Sequence, residues 1–316
     1  MEVGTVYTAH NVIVLALGFI LGVILGSGIK ALADRSLSYK SFWGRSYCPK
    51  CKHKLGWYDL LPIFSYIFLK GRCRYCHKKI SIEYLLVELG MGLLMGFLFW
   101  QQFDNFKFEI LNFQLISNIF QFSIFSLELI IKTFFIVVLA ILFLTDLKKM
   151  FIPDRIVIPS IIIGTLLSLG LVLTKIGYLY YYLSQTTLGR LLLPPKSEYF
   201  QRHALAAVEP FFYSLLTGLL IGGFFLSLII ITRGKGMGGG DVKLGVFIGV
   251  MLGFPQAVFA IILSFLIGAI FSIGLIFAGK KHFGQTIPFG PFMVVGSLIM
   301  LFWGPQIVDW YLHLGN

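Results

Sequence analysis

The chain has 316 residues, of which 57% are hydrophobic and only 13% are charged, and its mean hydropathy is +0.86. A soluble domain cannot bury that much apolar surface, so the composition excludes a soluble protein and indicates that lipid surrounds most of the chain. The net charge of +12 would suggest nucleic acid in a soluble protein. In a membrane protein, Lys and Arg in loops indicate orientation instead, and we expect no nucleic-acid partner.

Eight apolar segments predict eight transmembrane helices, and the first of them spans 11–33. At 1.5 Å per residue, a helix of this length crosses the roughly 30 Å of hydrocarbon in a bilayer. A cleaved signal peptide is not expected, because no Lys or Arg precedes the segment and because it is too long for the apolar part of such a peptide. The other segments are 82–101, 128–145, 156–175, 211–232, 242–253, 256–278 and 288–303.

A hydrophilic and basic stretch at 34–81 is the only part of the chain with the composition of a soluble module. We therefore predict an all-α polytopic membrane protein in three parts. These are a first transmembrane helix at 1–33, a small module at 34–81, and a membrane core at 82–316. The connections at 102–126 and 176–210 are expected to be loops, the second of them partly buried at the membrane surface.

The distribution of positive charge predicts the orientation of the chain. Alternation of the helices puts four loops on one side, and these loops hold 19 of the 26 Lys and Arg residues. The positive-inside rule then places them in the cytoplasm of a bacterium, in its cytoplasmic membrane, with the N-terminus outside. The four loops are 34–81, 146–155, 233–243 and 279–287.

The four cysteines of the chain all lie in the module, as two Cys-x-x-Cys pairs separated by 21 residues. A tetrahedral Zn²⁺ binds four thiolates, and each such pair offers two of them from one tight turn. Disulfides are not expected in the reducing cytoplasm, and a redox role would need a thioredoxin-like context that is missing. His53 and His77 lie nearby and are expected to be ordinary surface histidines. The predicted zinc ligands are Cys48, Cys51, Cys73 and Cys76.

The module has too little apolar content to build a core alone, so metal binding would supply its folding energy. Four thiolates leave no open coordination position, which predicts a structural role for the zinc. The apolar side chains between the two cysteine pairs have two possible uses, docking onto the membrane or docking onto the helical core. They are Trp57, Tyr58, Leu60, Leu61, Ile63 and Phe64.

Two aspartates have unusual settings, Asp146 at the end of a purely apolar run and Asp241 after three glycines at the start of an apolar segment. Ionisable groups that face into a membrane bundle are costly, which makes them functional candidates. The glycines permit backbone conformations and close approaches that other residues exclude. For Asp34, Asp59 and Asp154, at other boundaries, plain solvation is the simpler expectation.

If the two carboxylates meet, repulsion and desolvation would make them share one proton. One of them can then take a proton from water while the other protonates the scissile carbonyl oxygen, which is aspartic protease chemistry. The glycine loop at 234–243 also matches a dinucleotide fingerprint, but no strand precedes it. Cation coordination by Asp146, Asp154 and Asp241, as in a coupled transporter, is the serious alternative.

Several motifs, in the same order along the chain, closely resemble those of the type IV prepilin peptidases. The resemblance covers most of the chain, from 45 to 292. It includes Asp146 and the Gly-Gly-Gly-Asp sequence that ends at Asp241 and is followed by Lys243. The remaining matching stretches are 45–51, 55–62, 71–76, 80–81, 87–88, 152–154 and 287–292.

The resemblance implies an aspartic endopeptidase of the GxGD class that removes the basic leader of type IV prepilins or pseudopilins. By the motif match, Asp146 and Asp241 are catalytic and the four cysteines take the zinc positions. Many members also methylate the new N-terminus with S-adenosylmethionine. Residues 26–35 depart from the family's Gly-Ser-Phe-Leu-Asn-like stretch, because they contain neither its asparagine nor its proline. We therefore expect the peptidase activity, with methyl transfer as an additional possibility.

The rival hypotheses are a peptidase without methyl transfer, a cation-coupled transporter that uses the same acids, and a non-catalytic secretion-assembly protein that docks through its zinc module. We also expect Asp241 to move towards its partner during the reaction, as in enzymes gated by a conformational step. Membrane lipid surrounds the helices, and the oligomeric state is left open. A further hypothesis is that Asp59, Glu83 or Glu88 attracts the basic leader.

Overall fold

The computed structural model describes residues 2–39, 41–42, 44–48, 50–110, 117–185, 187–194, 197–234, 237–279 and 287–313. Within these ranges the protein is helical, with two isolated antiparallel bridges, and the predicted all-α class is confirmed. The chain divides into two compact units, Met1–Phe113 and Gln114–Asn316.

The first unit consists of two long antiparallel helices with the cysteine module between them. Helices α1 and α3 pack through glycines that let the backbones approach closely, as is common in membranes. A Cβ atom at Gly18 would lie 2.7 Å from the Met95 carbonyl oxygen, and one at Gly26 would lie 2.9 Å from the Cα of Glu88. The elements are α1 (Glu2–Leu37), a 3-10 turn (Trp57–Leu60), α2 (Phe64–Phe68) and α3 (Glu83–Ile110).

The second unit packs six longer helices around one hydrophobic cluster. The short helix α8 lies within that cluster, with Leu244, Phe247 and Ile248 fully buried. Its Gly249 crosses Gly218 of α7 so closely that a Cβ atom at 249 would lie 2.5 Å from the Gly218 Cα. The helices are α4 (Ser117–Lys149), α5 (Asp154–Gln185), α6 (Thr187–Leu191), α7 (Tyr199–Ile231), α8 (Gly239–Leu252), α9 (Gln256–Phe277) and α10 (Gly290–His313).

Among the described residues, seven helices are long and apolar enough to cross a membrane, which confirms a multi-pass membrane protein. The remaining predicted segment, 242–253, forms α8, whose 14 residues extend only about 21 Å and therefore do not cross alone. The division of the chain at 33 and 81 into three domains stays a prediction. The seven stretches are Asn11–Leu37, Glu83–Asp104, Gln121–Lys149, Asp154–Gln185, Tyr199–Ile231, Gln256–Phe277 and Gly290–His313.

The two predicted loops at 102–126 and 176–210 are largely helical, which corrects the sequence-based expectation. Helix α3 continues to Ile110 and α4 begins at Ser117, while α5, α6 and α7 occupy most of the second stretch. Polar residues and Pro210 suggested irregular structure there. Membrane helices extend beyond the hydrocarbon and tolerate proline, so a loss of hydropathy marks the edge of the bilayer and not the end of a helix. Residues 111–116, 186 and 195–196 lie outside the described ones.

Candidate active site and metal centre

Asp146 lies in the last turn of α4, where the helix leaves the hydrophobic cluster of the second unit. Its residue is 5% exposed and the preceding Thr145 is fully buried. The chain turns immediately afterwards, because the Met150 N–H donates to the Asp146 carbonyl oxygen at 2.8 Å and Met150 adopts a φ of 49°. Ile152 then returns to the cluster. This turn holds a carboxylate at the boundary between core and surface.

The first residue of α10, Gly290, lies directly against the Asp146 carboxylate. A Cβ atom at 290 would lie 2.5 Å from Asp146 Oδ2 and 3.1 Å from its Cγ. No other residue type fits at this position without displacing the acid. Oδ2 is buried and, among the described residues, has no hydrogen-bond partner. Such an oxygen is costly unless something else, such as water or a substrate, binds it.

Asp241 lies in the first turn of α8 and is partly buried. Its N–H donates to the Gly238 carbonyl oxygen at 3.1 Å, and the Gly238 N–H donates to its Oδ2 at 3.3 Å. Gly240 permits close packing, because a Cβ atom there would lie 2.9 Å from the Cβ of Ile152. The glycines therefore bring the start of α8 against the segment that follows Asp146. Residues 235–236 of the predicted glycine loop lie outside the described ones.

The two acids interact electrostatically. Burial raises the pKa of Asp241 from the ordinary 3.8 to about 6, and the charge on Asp146 raises it further in the same direction, against a lowering hydrogen bond from Gly238. The second unit thus brings together two acids that are 95 positions apart in the sequence, within range of each other's charge. Two carboxylates in such a relation favour a state that holds one proton between them.

Asp154 has a specific partner, the Lys243 ammonium, to which its Oδ1 accepts a hydrogen bond. The pair joins the first residue of α5 to the first turn of α8, two residues after Asp241. This contact leaves Asp154 paired with a cation of the chain and so counts against joint metal coordination by the three acids. The sequence contained both residues within recognised motifs, but nothing in it indicated that they pair. Gly290 was missed in the same way.

In the first unit, the two Cys-x-x-Cys segments fold into two knuckles with the same geometry. In the first knuckle (47–54), the Cys48 N–H donates to the His53 carbonyl oxygen at 3.0 Å, and in the second (72–79), the Cys73 N–H donates to that of Lys78 at 2.9 Å. Every equivalent contact is offset by 25 residues. The two bridges, Tyr47–Lys54 and Arg72–Lys79, and the positive φ angles of Lys52 and His77 follow the same offset.

The sulfur atoms of the four cysteines converge on one point. All four lie within 4.8 Å of one another, and the Sγ atoms of Cys48 and Cys76 are 3.9 Å apart. Tetrahedral Zn²⁺ with bonds of about 2.3 Å places its sulfurs about 3.8 Å apart, so the donor set fits such an ion. His53 is used elsewhere, since its ring lies against that of Tyr75 with centroids 3.7 Å apart.

The thiols compete for negative charge. Burial would raise the pKa of Cys48, but hydrogen bonds from the backbones of Cys51 and Lys50 and from neighbouring thiols bring it to about 7. For Cys51, a backbone hydrogen bond at His53 lowers the pKa, yet burial and the three other sulfurs raise it to about 11. One thiolate thus forms easily at the expense of the others. A divalent cation removes this competition by stabilising all four.

The three acids proposed to attract a basic leader differ in their accessibility. The Asp59 side chain is 4% exposed, pairs with Arg74 Nε at 2.9 Å and accepts a hydrogen bond from the Tyr75 hydroxyl at 3.2 Å. Glu88 is 6% exposed and accepts from the Ile63 N–H at 2.7 Å. Both acids therefore hold the module together. Only Glu83, with a half-exposed side chain, also faces solvent.

Lys30 is the one fully buried lysine among the described side chains, and it stands in the stretch that departs from the resembled family. Its Nζ lies 3.1 Å from Asp34 Oδ2 and 2.9 Å from Glu83 Oε2, and above the ring of Tyr84. Two carboxylates and an aromatic face compensate the charge, as buried cations require. The cluster joins the ends of α1 and α3.

An all-helical multi-pass protein with two interacting acids at the end of its bundle has the architecture of a membrane aspartic peptidase. Two family models match this chain: the bacterial peptidase A24 N-terminal domain over residues 20–102, and the type IV leader peptidase family over residues 133–273. The gap between the matches contains the boundary of the two units. The first match contains the cysteine module and the second contains both acids.

Curated relatives extend the similarity to most of the chain. A prepilin leader peptidase/N-methyltransferase of Aeromonas salmonicida (strain A449) is 31% identical over 268 residues, which cover 85% of this chain and 74% of the relative. A protein of the same name from Bacillus subtilis (strain 168) is 29% identical over 301 residues, 95% of this chain and 98% of the relative. No solved structure matches the chain significantly. The chain belongs to the type IV leader peptidase family and is a membrane peptidase.

Proposed function

We propose that the chain cleaves the leader peptides of type IV prepilins or pseudopilins at the cytoplasmic face of the bacterial cytoplasmic membrane, with Asp146 and Asp241 as its catalytic acids. The observation that carries the assignment of the acids is their electrostatic coupling in the second unit, with the pKa of Asp241 raised to about 6. The names of the relatives supply the substrate class. The concentration of Lys and Arg in one set of loops supports the cytoplasmic orientation.

In this proposal the pair works with one proton. The ionised carboxylate takes a proton from an attacking water molecule, and the protonated one donates to the oxygen of the scissile carbonyl. The buried Oδ2 of Asp146, which has no hydrogen-bond partner among the described residues, is suited to bind that water. No covalent intermediate with the chain is required. Because the titration belongs to the pair, neither acid has a fixed role as acid or base.

The position of the pair suits a substrate that is itself a membrane helix. Asp146 lies three residues before the end of α4 and Asp241 is the third residue of α8, so both are at helix ends. A prepilin helix can then remain in the bilayer while its leader reaches the acids. The predicted movement of Asp241 towards Asp146 stays part of the proposal. Gly234, with a φ of 74°, is a plausible hinge before α8.

The four cysteines are proposed to hold a structural Zn²⁺. Cys48, Cys51, Cys73 and Cys76 would provide all four ligands, which leaves the ion without an open position for substrate. When bound, the ion supplies folding free energy to a segment whose described residues form only short helical turns and isolated bridges. The ion therefore has no step in peptide cleavage.

Methylation of the new N-terminus is proposed as a second activity because the relatives carry it in their names. It would require S-adenosylmethionine, which provides the methyl group. The geometry of the described residues does not define a site for this cofactor. In the departing stretch 26–35, Lys30 is engaged by Asp34 and Glu83 and is not available to bind a ligand. The mass of the mature pilin N-terminus, measured after co-expression, decides between peptidase with and without methyl transfer.

Substitution of each acid tests the peptidase assignment. Asp146→Asn and Asp241→Asn keep the side-chain shape and remove the titrating group, so each should lower prepilin cleavage by about 10²–10⁴-fold. Asp309→Asn is the matched control, because Asp309 is exposed near the end of α10 and pairs with His313. Full-length chain in bilayers with a purified prepilin is the appropriate assay. Retained cleavage in either acid variant, with Asp309→Asn also active, excludes the proposed dyad.

A further inference from the structure

The module of the first unit has an apolar surface that its own fold does not cover. It is formed by one residue of the 3-10 turn and three of α2. Their exposed fractions are high for large apolar side chains, and they lie within 12 positions of one another. We call this set the apolar face; its members are Trp57 at 77%, Phe64 at 64%, Ile67 at 60% and Phe68 at 81% exposed.

A hydrogen bond fixes the height of this face along the membrane helices. The Ile63 N–H, immediately before α2, donates to Glu88 Oε2 at 2.7 Å. Ile63 adopts a φ of 61°, so the backbone bends at this point to meet the acid. Glu88 lies five residues into α3, about 7.5 Å along its axis. Helix α2 therefore begins beside the membrane helix and not above its end.

Residues of α3 at the same height are suited to contact lipid. Ile82 and Leu86, just before and just after the start of α3, are each 59% exposed. Large apolar side chains exposed on a membrane-spanning helix face hydrocarbon or the adjacent headgroup layer. The apolar face lies at this depth, where a short amphipathic element buries its apolar side chains about 5–10 Å into the membrane.

The surroundings of the face carry the charge that such a surface needs. Positions 34–81 contain 11 Lys and Arg residues and two acids. Lys70 and Arg72, which directly follow α2, are both exposed. Both acids are engaged, Asp34 with Lys30 and Asp59 with Arg74. The exposed charge of the module is therefore positive, and it complements anionic lipid headgroups.

We propose that Trp57, Phe64, Ile67 and Phe68 insert into the headgroup layer of the membrane that α1 and α3 span, with Lys70 and Arg72 on anionic headgroups, and that Glu88 sets the depth of insertion. The occupant of the face is lipid, because the hydrogen bond to Glu88 holds the face where lipid is already present. Glu88 is a positioning residue that acts through Ile63. The module is thus anchored at both its ends and along its middle.

The test measures the depth of one position of the face in the full-length protein. All five tryptophans are replaced by phenylalanine, and Phe68→Trp then introduces a single reporter. Arg45→Trp is the matched control. Arg35 donates to the Gly44 carbonyl oxygen at 2.9 Å and thereby holds that neighbour nine residues along α1 from Gly26, which faces Glu88. The two reporters differ in height by about 13 Å.

The protein is reconstituted one copy per nanodisc, in lipid of which half is anionic, with and without bromine on the acyl chains. We expect brominated lipid to reduce the fluorescence of the reporter at 68 about twofold and to leave the reporter at 45 nearly unchanged. Equal quenching of the two reporters, or quenching of the reporter at 68 by aqueous iodide only, overturns the proposal. The latter result would leave the face free for a protein partner.

Hydroxyl-radical footprinting of the unsubstituted protein in the same discs provides a test that does not depend on tryptophan replacement. Phe68 and Trp57 should be oxidised several-fold more slowly than Tyr39, which is 70% exposed just beyond α1. Equal rates overturn the proposal.

The role of Glu88 is tested separately. Glu88→Gln retains an acceptor for the Ile63 N–H and should preserve the quenching of the reporter at 68, whereas Glu88→Ala should reduce that quenching. If Ala and Gln behave alike, Glu88 does not set the depth.

Discussion

The metal centre and the acid pair are built in opposite ways. Each knuckle is made by eight consecutive residues with their own turn hydrogen bonds, and the second knuckle repeats the first with an offset of 25. The acid pair joins residues 95 positions apart, and it depends on a third element, the start of α10 at Gly290. One site is determined by local chain geometry, the other by the packing of helices.

This difference predicts how each site fails. The module has few buried side chains apart from Cys48 and Cys73, so its stability rests on the metal. The acids are supported by a large apolar cluster that needs no ion. Perturbing the metal should therefore leave the helices of the second unit folded. Perturbing a close contact between helices should change catalysis without affecting the metal.

The largest effect is expected from loss of a metal ligand. Cys73→Ser should abolish stoichiometric zinc binding and increase amide exchange throughout 44–80, because structural zinc contributes about 10–16 kcal/mol to the folding of such modules. Metal analysis and hydrogen exchange of the full-length protein measure both. His77→Asn, next to Cys76, should keep the metal. Zinc retained in Cys73→Ser, or lost in His77→Asn, contradicts the four-cysteine site.

The contact between Gly290 and Asp146 should be the most sensitive point of the acid site. In Gly290→Ala the added methyl group must displace the carboxylate, and a displacement of about 1 Å costs on the order of 10²-fold in rate. The control is Gly274→Ala in α9, where an added Cβ atom meets nothing within 4 Å. We expect kcat/KM for prepilin to fall in the first variant only, with unchanged zinc content. Equal activities would show that Asp146 is free to move.

The raised pKa of Asp241 predicts the pH dependence of cleavage. Because that pKa is about 6 instead of 3.8, the carboxyl group keeps its proton to higher pH, and the singly protonated pair is lost as the pH rises through about 6. Cleavage should therefore fall on the alkaline side of an apparent pKa near 6. A profile that remains flat from pH 5 to 8 would contradict a shared proton.

The same shift can be measured without activity. Asp146→Asn removes one cause of the raised pKa but leaves burial, the larger cause. Carboxyl ¹³C NMR of labelled protein in micelles should then give a pKa for Asp241 below 6 and still above 3.8. No change on substitution would show that the two acids do not interact.

The smallest effect is expected for the pair of Lys243 and Asp154, whose side chains are 39% and 57% exposed. Pairs of this exposure contribute about 0.2–1 kcal/mol, so Lys243→Met should lower kcat/KM at most about fivefold through a looser start of α8. Lys175→Met is the control, because Lys175 pairs with Glu128 at the other end of α4. If only Lys243→Arg restores activity, geometry matters in addition to charge.

Much of this protein could be predicted from its sequence, for reasons that are local. Apolar segments of 20 residues have no stable place except a membrane, so the spanning helices follow from composition. Paired cysteines in tight turns bring their sulfurs together whatever surrounds them. The ends of helices could not be located in this way, because hydropathy falls at the edge of the bilayer while the hydrogen-bonded helix continues. For that reason 176–210 was predicted to be a loop.

The sequence by itself determined the helical class, the metal ligands and the identity of the two candidate acids. Only the tertiary structure decided which residues surround those acids. Gly290 against Asp146, Gly240 against Ile152 and the pairing of Lys243 with Asp154 join segments that are far apart in sequence. The same holds for Glu88, a buried acid whose purpose appears only when Ile63 is found beside it. Close packing between helices depends on the shapes of both partners, and no single segment encodes it.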